Sequence, residues 1–190
     1  MTEPTQPTYQ DGYQPSPIMR PQRTFADGRW TVILSRELSH PVKRVWEALT
    51  EPGQLRQWAP FTADRNLETP GDVVMTMLES ADPSGDADQT ACVLESEPPR
   101  LLVYRWGGDV LRWELTGTAD GTTVVLRHTL ADPGMASASA AGWHICLDAA
   151  DALIKGVPFG PAVGSKASAY GWPDLNRRYA EILDVKPSFT

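Results

Sequence analysis

Between residues 141 and 156 the apolar positions fall along one side of a helix. Trp143, Leu147, Ala150 and Ile154 recur at steps of three and four, which puts them on a single face. Cys146 and Leu153 widen that stripe, while Asp148, Asp151 and Lys155 fall away from it. Gly156 stands where a helix C-terminus commonly takes a left-handed residue. Ahead of this segment the period changes to two. Residues 30–38 alternate as a first strand, and strands are expected at 72–79, 89–97, 101–106, 110–118 and 122–130, with a weaker candidate near 64–68. The breaks DPSGDAD, EPPR, GGD and ADG are short, and short breaks predict antiparallel hairpins rather than helical crossovers. Two short helices follow the first strand. One carries Val42, Val45, Trp46 and Leu49 on one face behind Pro41, and the next runs from Pro52 towards Pro60. A last helix is expected from Pro173 onward, with Leu175, Tyr179, Ile182 and Leu183 together. The stretch 156–171 between the two C-terminal helices is expected either to kink the long helix or to cover the mouth of a cavity.

Strands and helices kept apart along the chain predict an α+β fold, with about six to seven antiparallel strands and one long helix near the C-terminus. One amphipathic helix laid across one curved sheet encloses a space, and function is expected there. Residues 1–24 hold Pro4, Pro7, Pro15, Pro17 and Pro21 among Gln, Thr and Tyr without either period. They read as a flexible proline-rich arm ahead of a single domain at 25–185.

Composition narrows the classes of function. With 41% apolar residues and seven Trp, the 190-residue chain can build a sizeable core. A net charge of −7 and no Lys/Arg cluster argue against a nucleic-acid partner. No apolar run approaches the ~20 residues of a membrane span. The start MTEPTQPTYQ lacks the basic-then-apolar pattern of a signal peptide. Cys92 and Cys146 sit within apolar patterns and read as two buried thiols in a reducing, cytoplasmic setting.

Four blocks of residues carry a resemblance. The first is Leu38-Ser39-His40-Pro41-Val42 with 45–50, Leu55 and Trp58, and the second is 97–101 followed by 104–106. The third runs from Gly121 through Val124 to His128, and the fourth is Gly142-Trp143-His144 with Leu147. In this order they resemble the SRPBCC, or START-like helix-grip, superfamily, in the branch of activators of the heat shock protein 90 ATPase, over about residues 30–183. The resemblance implies a helix-grip (Bet v-like) fold in which the sheet wraps the long helix over a largely apolar cavity. It implies a cavity suited to lipids, polyketides and similar small molecules. With one amphipathic helix after a meander rich in Trp and Met, the expected role is binding of a small hydrophobic or amphipathic ligand of lipid or polyketide type without catalysis. A polyketide cyclase or aromatase and a co-chaperone are the rival readings, the latter with a chaperone or a homodimer partner. The eukaryotic co-chaperone has a separate N-terminal domain, in whose place this chain has only its proline-rich residues.

The candidate lining follows from strand and helix faces. Trp58 and Phe61 flank the second short helix, Met75 and Met77 share a strand face, and Tyr104, Trp106 and Trp113 lie on strands. His128 shares the face of Val124, Leu126 and Leu130, and Trp143 and Leu147 come from the long helix. Aromatic walls and adaptable methionines suit a small-molecule pocket, and they equally suit ordinary core packing. His128 is either a satisfied core histidine or a cavity residue able to orient a ligand or move a proton. Tyr104 and Asp148 are the other inward polar candidates. His144 is expected at the rim or surface, and His40 at the surface or as a helix cap. Arg112, Glu114 and Arg105 alternate with apolar residues and should face solvent, which leaves thin support for catalysis. Asp82, Asp86 and Asp88 lack the spacing of a calcium loop and read as a solvated turn. Gly107-Gly108-Asp109 reads as a hairpin turn. No catalytic residue, metal site or cofactor is called for.

Overall fold

The computed structural model describes residues 13–78, 88–157 and 159–189. Eight strands form one antiparallel sheet. They are β1 (Gln22–Ala26), β2 (Arg29–Leu38), β3 (Phe61–Ala63), β4 (Gly71–Met77), β5 (Asp88–Glu97), β6 (Leu101–Trp106), β7 (Asp109–Gly117) and β8 (Thr122–Thr129). Their order in space is β1-β2-β8-β7-β6-β5-β4-β3, so only β2 and β8 are joined out of sequence. The helices are α1 (Val42–Thr50) and α2 (Pro52–Trp58), between β2 and β3, then α3 (Ala136–Ile154) and α4 (Trp172–Leu183). The fold is a curled α+β helix-grip, with the sheet folded around α3.

Period-two alternation does the work expected of it. In β8, Thr122, Val124, Leu126 and His128 are buried and their neighbours half-buried. In β7, Leu111, Trp113 and Leu115 face the core. On the other face Arg112 and Arg127 both reach Glu114, as alternation requires.

Three boundaries differ from the sequence reading. The sheet begins ahead of Phe25, with Gln22 already paired to Ile33. This adds an edge strand ahead of the two short helices, which therefore follow the second strand and not the first. The weak strand near 64–68 is replaced by β3 at Phe61–Ala63, paired with Met75–Met77. These two changes bring the sheet to eight strands, where about six to seven were expected. Finally, α3 begins at Ala136, five residues ahead of the periodic stripe, in an alanine- and serine-rich stretch that no apolar pattern marks. It ends as expected, with Gly156 at φ +74 just behind it.

The proline-rich residues just ahead of β1 are held down. Met19 is buried, and its N–H donates to Tyr179 Oη at 3.2 Å. Residues 1–12 lie outside the described residues, as do Asp82 and Asp86 of the acidic loop; Asp88 begins β5. Among the described residues, no helix is long and apolar enough to cross a membrane.

Candidate functional site

The space under the middle of α3 is filled. Trp113 meets Trp143 edge-on with ring centroids 5.3 Å apart, and Trp58 packs at 6.3 Å from Trp113 and 6.5 Å from Trp143. The indole N–H groups of Trp58 and Trp113 are both satisfied within the core. Trp58 Nε1 donates to the Ala48 carbonyl at 2.8 Å, and Trp113 Nε1 donates to Tyr104 Oη at 3.2 Å. Burial pushes the Tyr104 phenol well above its ordinary range, so it stays protonated.

An opening lies at the N-terminal half of α3. It is a cleft of about 630 Å³ between α3, the β6–β7 turn and the segment 162–172, with Phe189 at its edge. Trp106, His128 and Trp143 line it, together with Met135, Val163 and Trp172. Small residues make the room: Ser139 and Gly142 on α3, and Ala162, Gly164 and Ala167 across from them. Gly142 sits in the interior of α3, where glycine costs helix stability. A Cβ added there would meet nothing within 4 Å.

Of the ten lining candidates from the sequence, the cleft takes Trp106, His128 and Trp143. Trp58, Phe61, Met75, Tyr104, Trp113 and Leu147 are buried in the packed core, and Met77 is packed against it, half-buried. The segment 156–171 does contribute a wall, through a 3-10 turn at Gly164–Tyr170.

One polar chain reaches the cleft. Trp143 Nε1 donates to His128 Nδ1 at 3.1 Å, and His128 Nε2 lies 2.7 Å from Asp109 Oδ2. A ring nitrogen that accepts from an indole N–H carries no proton, so the His128 proton sits on Nε2 and points at the carboxylate. Asp109 Oδ1 accepts from the Ala131 N–H at 2.7 Å. Burial acts to raise the Asp109 pKa, but the hydrogen bonds from His128 and Ala131 and the electrostatic pull of His128 and Arg29 outweigh it and hold the carboxyl below its usual range. Asp109 is therefore ionised at neutral pH. The turn that positions it is tight. A Cβ on Gly108 would lie 2.7 Å from the Ala131 Cβ, so only glycine lets the turn sit against that residue. Gly107-Gly108-Asp109, read from the sequence as a plain turn, thus carries the carboxylate of the site. Only the tertiary pairing with His128 and Ala131 gives it that role.

Neither His128 nor Cys146 is set up as a base or a nucleophile. Both nitrogens of His128 are engaged, leaving no free lone pair for a substrate proton. Cys146 also lines the cleft, but burial pushes its thiol up to about 12, far from the thiolate a nucleophile needs. Cys92 is half-buried, and both cysteines are free thiols.

A second polar cluster lies between α3, β2, α4 and the stretch 13–19, and it corrects two expectations. His144, expected at the rim or surface, is completely buried, with Nε2 3.0 Å from Ser16 Oγ and Nδ1 2.7 Å from Tyr179 Oη. Asp148, which falls off the apolar stripe, is buried too and binds Arg36, the Ser16 N–H and the Tyr13 hydroxyl. It faces this cluster rather than the cleft. Burial lowers the His144 pKa to about 4, with the opposing pull of Asp148 largely offset by Arg36. For Asp148, burial acts upward, yet Arg36 and the Ser16 and Tyr13 hydrogen bonds hold it below the carboxylate range. His40 is buried as well, against Asp151 of α3 at 2.8 Å, and is not a surface residue. The apolar stripe misplaced His144 because α3 is covered on more than one side.

The comparisons agree with the fold. The family model described as "Activator of Hsp90 ATPase homolog 1-like protein" matches residues 39–155. No curated protein matches the chain by sequence. Among solved structures, CalU16 from Micromonospora echinospora is similar, with 20% identity and a TM-score of 0.63 over 86% of this chain and 96% of that one. A conserved protein of unknown function, EF2215 from Enterococcus faecalis, has 17% identity and a TM-score of 0.65 over 85% and 89%. An AHSA1-like protein from Aeromonas hydrophila has 18% identity and a TM-score of 0.55 over 66% and 92%. At these identities the likeness speaks for the fold. With its model covering more than half of the residues and the same helix-grip architecture throughout, the chain belongs to the family of Activator of Hsp90 ATPase homolog 1-like proteins.

Proposed function

We propose that this protein binds a small hydrophobic or amphipathic molecule, without catalysis, in the cleft beside the N-terminal half of α3. The observation that carries the reading is the cleft itself: about 630 Å³, walled by Trp106, Trp143, Met135, Val163 and Trp172, with one short polar chain at its edge. Concave sites of this size with apolar walls and few fixed polar groups are the common form of small-molecule pockets. Gly142 supports it, since a helix-interior glycine facing open space keeps the cleft wide at a cost to the helix. The engaged nitrogens of His128 and the protonated Cys146 favour binding over a cyclase-like reaction. A role in activating a chaperone ATPase would rest on the family alone, with no residue of the cleft behind it.

Native mass spectrometry of gently purified protein tests the reading. A stoichiometric adduct is expected, and it should be lost in Gly142→Leu, whose side chain would project into the cleft. A clean apo mass, with no thermal shift across a panel of apolar compounds, would overturn it.

A further inference from the structure

Among the described residues, the cleft has one charged residue in its lining, and that residue is an anion. Asp109 stands at the first position of β7, directly paired with Trp106 across the β6–β7 hairpin, and both line the cleft. Its oxygens are half satisfied. Oδ1 takes the Ala131 N–H and Oδ2 faces the His128 Nε2–H. A carboxylate oxygen has two acceptor directions, so each retains one. The side chain remains 28% exposed, enough for a ligand group to reach it. His128 faces the carboxylate with one ring nitrogen while the other accepts the Trp143 indole N–H, so it has no donor left for a ligand anion. Arg29 is near, but its guanidinium is tied to the carbonyls of Gly108, Thr129 and Leu130, and it does not line the cleft.

Resting on the binding reading above, we infer that Asp109 sets the ligand class: the cleft takes apolar molecules whose polar end is a hydrogen-bond donor, a hydroxyl or an ammonium group, and rejects those ending in a carboxylate. A donor seated on Asp109 makes a charge-assisted hydrogen bond inside a partly dry cleft. A ligand carboxylate would place a second negative charge against the first, with no Lys or Arg among the described lining residues to receive it. The acidic balance of the whole chain, −7, adds to that bias.

The test uses four probes that share one ring system: naphthalene, β-naphthol, β-naphthylmethylamine and β-naphthoate. Their affinities for the full chain are measured by titration calorimetry at neutral pH. Binding of β-naphthol about tenfold tighter than naphthalene is expected, the worth of one charge-assisted hydrogen bond. β-Naphthoate should bind more weakly than naphthalene, and the amine shows whether a cation gains further on the hydroxyl. In Asp109→Asn the preference for the alcohol over the naphthoate should collapse while naphthalene still binds. The wild-type series decides the matter even where that variant disturbs His128. Naphthalene bound with no discrimination, or β-naphthoate bound as tightly as β-naphthol, overturns the role of Asp109 and leaves the cleft standing. No binding by any of the four overturns the cleft reading with it.

Discussion

The space between α3 and the sheet has two ends, and they are built from different residues. Beneath the middle of the helix, Trp58, Trp113, Trp143 and Tyr104 interlock, and their polar atoms pair with one another, with backbone or with His128. Toward the N-terminal half, Ser139, Gly142, Ala162, Gly164 and Ala167 stand where large side chains would close the gap. Both ends draw on aromatic residues, but only one is open. Richness in tryptophan therefore marks packing here, and the opening follows the small residues. Interiors are close-packed by default, so an unfilled volume needs side chains too short to reach across it.

Breaking the packed end should have the largest effect. Trp113 is 1% exposed and touches both other tryptophans of the cluster, so Trp113→Ala should cost roughly 3–5 kcal/mol in urea unfolding. A loss below about 1 kcal/mol, the scale of a surface substitution, would mean that this end is not the keystone of the core.

Acid sharpens the comparison from the other flank of α3. His144 has an ordinary pKa of 6.5 and about 4 in the folded chain, so between those values the unfolded state binds more protons. Its stabilisation is whole above pH 6.5 and falls away as pH drops toward 4. The loss over that window should be roughly 3 kcal/mol. Asp148, held below 3.8, adds its own loss only under that value. Urea midpoints measured through this range check the effect, and His144→Gln should flatten the slope. An unchanged slope in the variant would assign the acid sensitivity elsewhere.

The smallest effect belongs to the open end. Gly142→Ala should stabilise the protein by about 0.5–1 kcal/mol, because the helix gains and the added methyl meets nothing. Thermal unfolding measures it. Destabilisation would show that the volume beside Gly142 is not free.

How much of this was legible depends on which physics set each feature. Strands β7 and β8 and the stop of α3 were legible because alternation and Gly156 are local signals. Edge strand β1 was hidden by the prolines ahead of it, and its all-exposed residues show no alternation to read. His144 was misplaced because one stripe was taken as the whole buried face, while Asp148 is inward as expected but faces the cluster around Arg36 and not the cleft. In the structure, residues 13–19 and α4 cover the polar side of α3 and replace water with Ser16, Tyr13, Arg36 and Tyr179. Asp109 had no signal of its own. An aspartate after two glycines is the normal chemistry of a turn.

Periodicity by itself determined the fold class, the long helix and which face of strands such as β7 and β8 turns inward, because these follow from backbone geometry repeated every two or three to four residues. The fold alone decided which inward residues fill the grip and which border a cleft, and which carboxylate faces it. Those outcomes depend on side-chain volumes and partners meeting from distant parts of the chain, Asp109 with His128 and Ala131, Gly142 with Ala162 and Ala167, and no local period encodes them.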